Sequence, residues 1–379
     1  MNFDLTEEQL LLKRMVREFA ENELAPKAAY WDETGTFPRE NLKKMAELDL
    51  MGMPFPETVG GAGMSVLDYV LVLEEIARVC PTTAVILAVH TSVGTMPIYL
   101  FGNQQQKEKY LTKLCRGEYL GAFALTEPTA GSDATKIKCS AEDKGDHYLV
   151  NGTKIFITNA GEADVYCTFV VTDKTKGHHG ISCLLIEKNT PGFKVGKIEK
   201  KMGLNGSKTG ELIFENAIVP KENLLGQEGE GFKIAMSLLD GGRIGIGAQG
   251  IGIAQGAYDY ALAYTKERKQ FGQPISNFQA IQFKLADMAT RIDAARLLVY
   301  QAAYLRDQKL PHSKQASMAK MYGTDTAMWV ATEAVQILGG YGYIREYPVE
   351  RYFRDAKITQ IYEGTNQIQR LVIAKNILK

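Results

Sequence analysis

The sequence has no excess of charge of one sign and no cysteine or histidine pattern typical of a structural site. Its 44 basic side chains are balanced by 44 acidic ones, so no net positive charge favours nucleic acid or anionic lipid. The 5 cysteines are odd in number and form no CxxC pair, which argues against a disulfide framework and favours a reducing compartment. The 5 histidines show no ligand spacing. We therefore expect a neutral protein with no metal site and no nucleic-acid partner.

The sequence also lacks the signals of targeting and of a membrane span. The N-terminus has neither the apolar core of a signal peptide nor an Arg/Ser-rich transit segment. We expect a cytoplasmic protein of bacterial type, or a mitochondrial matrix protein if a eukaryotic chain has been processed. The uncharged stretch Thr82–Gln106 is interrupted by Thr, Ser, Gly and Pro and falls short of ~20 continuous apolar residues. It predicts a fully buried helix, either as plain core or as the border of a ligand cavity.

Three successive patterns divide the 379 residues. At ~100–200 residues per domain, the length predicts two or three domains. Residues 1–120 have helical spacing, residues 121–226 alternate between apolar and polar in short runs, and residues 227–379 return to helical spacing. We therefore expect an α+β multidomain fold that is mainly α.

Local signals place several elements within these segments. Thr6 and Gln9 have the spacing of a capping box at the start of the first helix. Asn151-Gly152 between two apolar runs predicts a β-hairpin. The run before Ile361 resembles a strand. The long helices predicted in the last segment span 231–267, 278–308, 313–338 and 366–378.

Residues Gly245–Gly250 match the GxGxxG pattern of dinucleotide-binding folds. That motif requires a strand before the first glycine, whereas Phe232–Leu239 have helical spacing. Gly252 and Gly256 continue the series of small residues. We therefore interpret the segment as a helix face for close packing or for a flat ligand. The sequence contains no Walker loop, HExxH or GxSxG motif.

Four segments each have a structural and a functional interpretation. The loop Leu125–Asp133 is either a capped turn or a hydroxyl cradle for a polar ring edge, to which Phe156–Asn159 would add an aromatic surface. The cations of Lys266–Gly272 suit a helix C-terminus or a pyrophosphate. The segment Gln336–Gly342 is a helix cap or a bare surface for a nucleotide. Glu363 is an ordinary loop carboxylate or a desolvated base.

Together these segments resemble the acyl-CoA dehydrogenase family, most closely its short-chain (butyryl-CoA) members. The resemblance covers Phe3 to Leu378 and is carried by TEPTAGSD, FITNAG, DGGRIGIGAQGIG, ERKQFG, QILGGYGY, YPVERYFRDAKI and IYEGTNQIQR in this order. It implies an N-terminal helical domain, a middle β-barrel and a C-terminal four-helix bundle. It also implies FAD as cofactor, acyl-CoA as substrate, electron-transfer flavoprotein as partner and a homotetramer built as a dimer of dimers.

The resemblance implies dehydrogenation of a short-chain acyl-CoA thioester to the trans-2-enoyl-CoA. Glu363 would remove the pro-R α-proton while the β-hydrogen leaves as hydride to flavin N5. In this family the thioester carbonyl accepts hydrogen bonds from the backbone N–H of the base residue and from a ribityl hydroxyl. Isovaleryl- and long-chain-type members place their base at the position of Gly242, so those two classes are disfavoured.

Other members of the family keep the base at the position of Glu363. Isobutyryl- and 2-methylbutyryl-type enzymes therefore remain alternatives, as does a flavin oxidase on the same scaffold. Glutaryl-type enzymes also share the arrangement, but they need a cation in the acyl pocket, and Thr82–Gln106 supplies none.

The resemblance further assigns residues to ligand binding. Phe156 stands where many members have Trp, which gives a smaller stacking surface. The residues implied in FAD binding are Phe123, Leu125, Thr126, Ser132, Phe156, Thr158, Arg268, Gln270, Phe278, Gln279, Gln336, Gly339, Gly340, Thr365 and Gln367. The residues implied near the CoA thioester are Ser132, Asp240, Arg243 and Gly364.

Overall fold

The structure, a computed structural model, describes residues 4–378. Helical N-terminal and C-terminal domains are separated in the chain by a β domain, which confirms the predicted fold class. The predicted capping box is present: the Gln9 N–H donates to Thr6 Oγ1 at 3.2 Å, and the Thr6 N–H donates to Gln9 Oε1 at 3.1 Å. The N-terminal helices are α1 (Glu7–Phe19), α2 (Ala25–Thr34), α3 (Arg39–Glu47), α4 (Val66–Val79), α5 (Pro81–Val89), α6 (Met96–Phe101) and α7 (Gln104–Cys115), with π-helical turns at Ala20–Leu24 and His90–Thr95.

The middle domain is built on one sheet of eight strands. Hydrogen bonds join seven of them in the order β6-β7-β3-β2-β4-β5-β8, so β6 and β8 are the two ends of this path, and β1 pairs in parallel with β4. Alternate side chains of the long strands face a buried core that includes Tyr148, Tyr166 and Leu184. The strands are β1 (Gly121–Ala124), β2 (Ser140–Asp143), β3 (His147–Thr158), β4 (Val165–Val171), β5 (Ile181–Glu187), β6 (Phe193–Ile198), β7 (Thr209–Pro220) and β8 (Leu224–Leu225).

The hairpin predicted at Asn151-Gly152 is wrong. Strand β3 continues through this dipeptide, which instead forms a bulge where the register with β7 shifts between Val150 and Gly152. The Asn151 side-chain amide donates to Asn216 Oδ1 at 3.1 Å, and the Asn216 N–H donates to Asn151 Oδ1 at 2.8 Å. Gly152 has a φ of 143°, which glycine adopts easily, but it lies inside a strand rather than in a turn. Pairing of β3 with β7 along its length has overridden the local turn preference.

In the described part of the C-terminal domain there are five α-helices, and α10 packs against each of the other four. The interpretation of the run before Ile361 as a strand is wrong. This run forms the helix Val349–Thr359, whose buried residues recur at helical spacing. A short ribbon of β9 (Lys269–Gln270) and β10 (Gln273–Pro274) follows the first helix. The helices are α8 (Gly231–Glu267), α9 (Gln279–Asp307), α10 (Ser313–Leu338), α11 (Val349–Thr359) and α12 (Asn366–Ile377).

The GxGxxG segment lies inside α8, which confirms the helical interpretation. Its glycines bring the backbones of neighbouring helices close together. A Cβ on Gly250 would lie 2.9 Å from the carbonyl oxygen of Gly323 on α10, and a Cβ on Gly252 would overlap the carbonyl oxygen of Glu74 on α4. Helix α8 therefore packs against α10 on one side and against α4 on the other through bare backbone.

The uncharged stretch forms the buried helix that was predicted. Within residues 4–378, Pro81–Phe101 is the one helical segment long and apolar enough to cross a membrane by length and composition, and 83% of its apolar window is buried inside the protein. It packs against α8 and against β1. A Cβ on Gly94 would approach the carbonyl carbon of Gly121 to 2.7 Å, so this helix and the sheet meet at backbone distance.

Candidate active site

Glu363 lies in the loop between α11 and α12 with a buried, unpartnered carboxylate. Neither Oε1 nor Oε2 accepts a hydrogen bond from any of residues 4–378. Burial raises the pKa of this carboxyl to about 7, against the opposing effect of the positive charges of Lys320 and Arg243. A carboxylate that titrates near neutrality and has both oxygens free is suited to accept a proton from a ligand.

The space that the Glu363 carboxylate occupies exists because residue 242 is glycine. A Cβ on Gly242 of α8 would overlap Oε2 of Glu363. A side chain at position 242 and this orientation of Glu363 therefore exclude each other. The two positions that the sequence analysis compared as sites for a base face the same point in the protein.

The loop that carries Glu363 is held from two sides. The Gln369 side-chain amide donates to the carbonyl oxygens of Glu363 and Gly364, at 3.2 and 2.8 Å. From α10, Lys320 Nζ donates to the Gly364 carbonyl oxygen at 2.9 Å. Glu363 has a φ of 52°, in a region that non-glycine residues rarely occupy. These bonds stabilise a backbone conformation that the loop would not favour alone.

Sequence analysis did not identify Lys320 or Gln369. A signal for Lys320 is present in the sequence: it recurs at helical spacing with the small buried residues Ala316, Gly323 and Ala327. A lysine on a face of small residues is placed to be buried, and buried lysines need specific acceptors.

Glu363 lines a cavity of about 870 Å³. Val85, Val89 and Val93 of the uncharged stretch form part of its wall, so that stretch borders a cavity rather than packing as core alone. The cavity also brings together many residues that the sequence analysis selected. These are Phe123, Leu125, Thr126, Ser132, Phe156, Thr158, Arg243, Gly364 and Thr365.

Unpaired polar groups and an exposed ring make this cavity fit a flat ligand with a polar edge. The hydroxyls of Thr126, Ser132 and Thr158 make no hydrogen bond to another described residue. Phe156, with a φ of 57°, leaves 60% of its surface exposed at the cavity wall. An aromatic surface beside free hydroxyls suits an isoalloxazine ring, so these residues fit FAD.

A second cavity, of about 530 Å³, contains another part of the predicted set. The Arg268 guanidinium lies over the Tyr341 ring, 5.3 Å from its centre, and both residues line this cavity. Gln279, Gln336 and Gln367 line neither cavity. The predicted residues that line the second cavity are Arg268, Gln270, Phe278, Gly339 and Gly340. Within one chain, those predicted cofactor residues that line a cavity are thus divided between two cavities.

Asp240 does not line the first cavity, but it contacts a residue that does. Its Oδ1 accepts hydrogen bonds from Arg243 Nη1 at 2.6 Å and from Ser313 Oγ at 3.2 Å. Arg243 Nε is buried without a partner among the described residues. Asp240 therefore orients an arginine that lies beside Glu363 and keeps a free donor.

A buried ion pair joins two cavity-lining segments of the middle domain. Lys154 on β3 is 0% exposed, and its Nζ donates to Glu127 Oε1 at 2.7 Å and to the Leu125 carbonyl oxygen at 3.1 Å. The Ile155 N–H donates to the Thr126 carbonyl oxygen at 2.9 Å. The loop that carries Thr126 and the strand that carries Phe156 are thereby held together. The sequence analysis did not identify this pair.

The chain belongs to the acyl-CoA dehydrogenase family. Sequence models of the family match it in three parts: the N-terminal domain over residues 6–118, the middle domain over 122–217 and the C-terminal domain over 229–378. The short-chain specific acyl-CoA dehydrogenase of Clostridium acetobutylicum is 54% identical over 379 residues, covering 100% of both chains. The family resemblance seen in the sequence is confirmed.

Solved structures agree with this assignment. The butyryl-CoA dehydrogenase of Megasphaera elsdenii superimposes with a TM-score of 0.98 at 48% identity over 100% of both chains. A chain from the structure of the electron transferring flavoprotein of Acidaminococcus fermentans matches with a TM-score of 0.99 at 54% identity, again over 100% of both chains. An acyl-CoA dehydrogenase of Bacillus anthracis complexed with FAD matches with a TM-score of 0.94 at 38% identity, covering 99% of this chain and 67% of that one.

Proposed function

We propose that this protein catalyses the FAD-dependent α,β-dehydrogenation of short-chain acyl-CoA thioesters to trans-2-enoyl-CoA, with Glu363 as the base. The observation that carries the proposal is the buried, unpartnered carboxylate of Glu363 at the wall of a cavity of about 870 Å³. The short-chain specificity is supported by the relatives from Clostridium acetobutylicum and Megasphaera elsdenii.

Glu363 accepts the α-proton of the thioester. That proton is weakly acidic, so the base must be strong and yet deprotonated near neutral pH. Burial, which raises the pKa of the Glu363 carboxyl to about 7, meets both needs. After the step, the carboxyl carries the proton and must release it before the next turnover.

The backbone beside the base orients the thioester. No hydrogen bond from the Glu363 backbone N–H is found within residues 4–378. In this family the thioester carbonyl accepts a hydrogen bond from the N–H of the base residue, and the free N–H of Glu363 supports that role here. A donor aimed at the carbonyl oxygen stabilises the negative charge that develops there as the α-proton leaves.

FAD is the cofactor, and the first cavity holds its ring. Thr126, Ser132 and Thr158 offer hydroxyls to the polar edge of the ring, and Phe156 offers a face. When bound, FAD supplies the acceptor for the β-hydrogen, which leaves as hydride. We assign Arg268, Gln270, Phe278, Gly339 and Gly340 of the second cavity to the pyrophosphate and adenosine of an FAD shared between subunits. We also assign Gln279, Gln336 and Gln367 to this shared FAD.

The apolar wall supports a short, uncharged acyl chain. Val85, Val89 and Val93 carry no charge, and Ile246 of α8 also lines the cavity. A carboxylate at the end of the acyl chain would lose its hydration here without a compensating cation from this wall. Straight short chains are therefore favoured over dicarboxylic ones.

The electrons pass to electron-transfer flavoprotein, and the working assembly is a homotetramer. The similarity to a chain from the Acidaminococcus fermentans flavoprotein structure supports the first statement. The division of the predicted FAD residues between two cavities of one chain supports a cofactor shared between subunits. The bacterial relatives support a cytoplasmic location.

The test is anaerobic reduction of the purified holoprotein by butyryl-CoA, followed at the flavin absorbance. We expect rapid bleaching and slow reoxidation in air; rapid reoxidation would instead indicate an oxidase. Glu363→Gln should keep FAD and lose turnover by ~10²–10⁴, the usual range for a general base. Glu118→Gln, at an exposed position, is the matched control. Turnover of Glu363→Gln close to that of Glu118→Gln would refute the assignment.

A series of acyl-CoA thioesters then sets the chain length. We expect kcat/KM to be highest for short straight chains and lower for isobutyryl- and 2-methylbutyryl-CoA. A maximum at a branched thioester would replace the straight-chain assignment by the branched one.

A further inference from the structure

Lys320 on α10 is a fully buried lysine that has no carboxylate within ion-pair distance among the described residues. Its Nζ donates to the Gly364 carbonyl oxygen and to Asn366 Oδ1, both at 2.9 Å. Burying an ammonium group with only neutral acceptors is costly. A lysine buried at that cost is expected to act on a group nearby.

The two acceptors of Lys320 lie in the loop of the proposed base and at the start of the helix that follows it. Gly364 directly follows Glu363, and Asn366 is the first residue of α12. Asn366 is itself bonded to α10, because its amide donates to Thr324 Oγ1 at 3.0 Å and to Asp325 Oδ1 at 2.7 Å. Lys320 therefore holds the backbone immediately behind the carboxylate.

The charge of Lys320 also acts on Glu363. Burial raises the pKa of Glu363 to about 7, and two cations oppose it: Lys320 from α10 and Arg243 from α8. Burial in turn lowers the pKa of Lys320 to about 7, which the negative charges of Glu363 and Asp325 oppose.

Three further groups stand around the pair. The negative charge of Glu363 raises the pKa of Tyr69 on α4 and of Tyr362 beside the base. The positive charge of Arg306 on α9 lowers the pKa of Tyr69. Both tyrosines have a raised pKa and stay neutral at physiological pH. Arg243 is bonded to Asp240, which offsets part of its charge. Of the two cations whose charges act on Glu363, Lys320 is therefore the one with no carboxylate within ion-pair distance among residues 4–378.

We infer that Lys320 is a positioning residue for the base: it holds the Glu363–Gly364 peptide in place, and its positive charge favours the carboxylate form of Glu363. The inference rests on the proposed function, because it assigns the proton-accepting role to Glu363. It predicts two separable effects, one from the hydrogen bond to Gly364 and one from the charge.

Two substitutions separate these effects. Lys320→Gln keeps a donor for the Gly364 carbonyl and removes the charge, whereas Lys320→Met removes both. Without the charge, Glu363 binds its proton more tightly, so the acidic limb of the kcat profile should move to higher pH. A shift of about one pH unit corresponds to about a tenfold loss of kcat at low pH and recovery at high pH.

The experiment measures kcat and KM for butyryl-CoA from pH 6 to pH 9 in holoenzymes of equal FAD content. Lys320→Gln should show the shifted limb with nearly unchanged KM, and Lys320→Met should show the shift together with a lower kcat at every pH. Lys284→Met is the control, because Lys284 pairs with Glu333 in the same bundle and is 37% exposed. Its profile should match that of the wild type.

The inference is overturned if Lys320→Gln folds, retains FAD and has the wild-type pH profile. It is also overturned if both Lys320 variants lose the same fraction of kcat at every pH and show no shift of the acidic limb, since that result indicates a structural role alone. Glu363→Gln measured in parallel separates this failure from failure of the proposed function. An active Glu363→Gln enzyme refutes the base, whereas an inactive one with unshifted Lys320 variants refutes the inference about Lys320 alone.

Discussion

Replacing Lys154 by Met should destabilise the middle domain strongly. In the variant, the Glu127 carboxylate would stay buried with only the N–H groups of Lys138 and Cys139 as partners, at 2.6 and 2.9 Å. Breaking a buried ion pair from one side costs about 3–5 kcal/mol. Because two backbone donors remain, and each hydrogen bond to a charged group contributes about 1.5–3 kcal/mol, the lower end, about 3 kcal/mol, is expected.

The assay is thermal unfolding of the holoprotein together with its FAD content. An unfolding entropy of about 2.1 cal/mol/K per residue gives roughly 1.3 °C per kcal/mol for a chain of 379 residues, so the expected drop in Tm is about 4 °C. FAD should also be lost more easily, because the pair holds the Thr126 loop against β3. The control is Lys194→Met, which breaks the exposed Lys194–Glu215 pair of the same domain and should leave the Tm nearly unchanged because solvent screens that pair.

A third variant tests the cause of the loss. Lys154→Met combined with Glu127→Met removes the stranded charge and should recover part of the lost Tm. If Lys154→Met lowers the Tm no more than Lys194→Met does, the buried pair does not have the energetic role described above.

Three further predictions use thermal unfolding or cofactor retention. Folding raises the pKa of Glu363 from 4.5 to about 7, so the folded protein loses stability as the pH rises through that range. Glu363→Gln should therefore raise the Tm more at pH 8 than at pH 5, and equal increases at the two pH values would contradict this. Arg268→Ala should retain less FAD after dialysis, and unchanged content would count against its assignment. Gly252→Ala should lower the Tm, because the added methyl group would push α8 away from the Glu74 carbonyl of α4 and destabilise the fold by about 1–3 kcal/mol. An unchanged or higher Tm would refute the close packing of these two helices.

Periodicity predicted the helices well and the strands less well. The pattern at 313–338 gave the bounds of α10, because one face of that helix is buried along its whole length. The local sequence Asn151-Gly152 suits a hairpin turn and a bulge equally well, and only the pairing of β3 with β7 decides which of the two forms. In α11, the β-branched residues near Thr359 concealed a helical spacing that starts at Val349.

The candidate site was visible in sequence where it contains motifs and invisible where it depends on packing. Glu363 stands out beside Gly364 in a loop, and the resemblance gave it a role that remains a prediction. Lys154 is an isolated lysine in an ordinary strand pattern, and its burial depends on which elements pack together. Lys320 shares a helix face with small residues, which indicates burial but not the loop that its ammonium group contacts.

The glycines of α8 have a consequence for how the protein folds. The helix has eight glycines in 37 residues, and each disfavours an isolated helix by about 0.5–1 kcal/mol relative to alanine. On its own, α8 should therefore remain largely unstructured, although it lies at the centre of the molecule. Its order is acquired together with that of α4 and α10, which makes these three helices one cooperative unit. Amide hydrogens in the middle of α8 should exchange only when that unit opens as a whole.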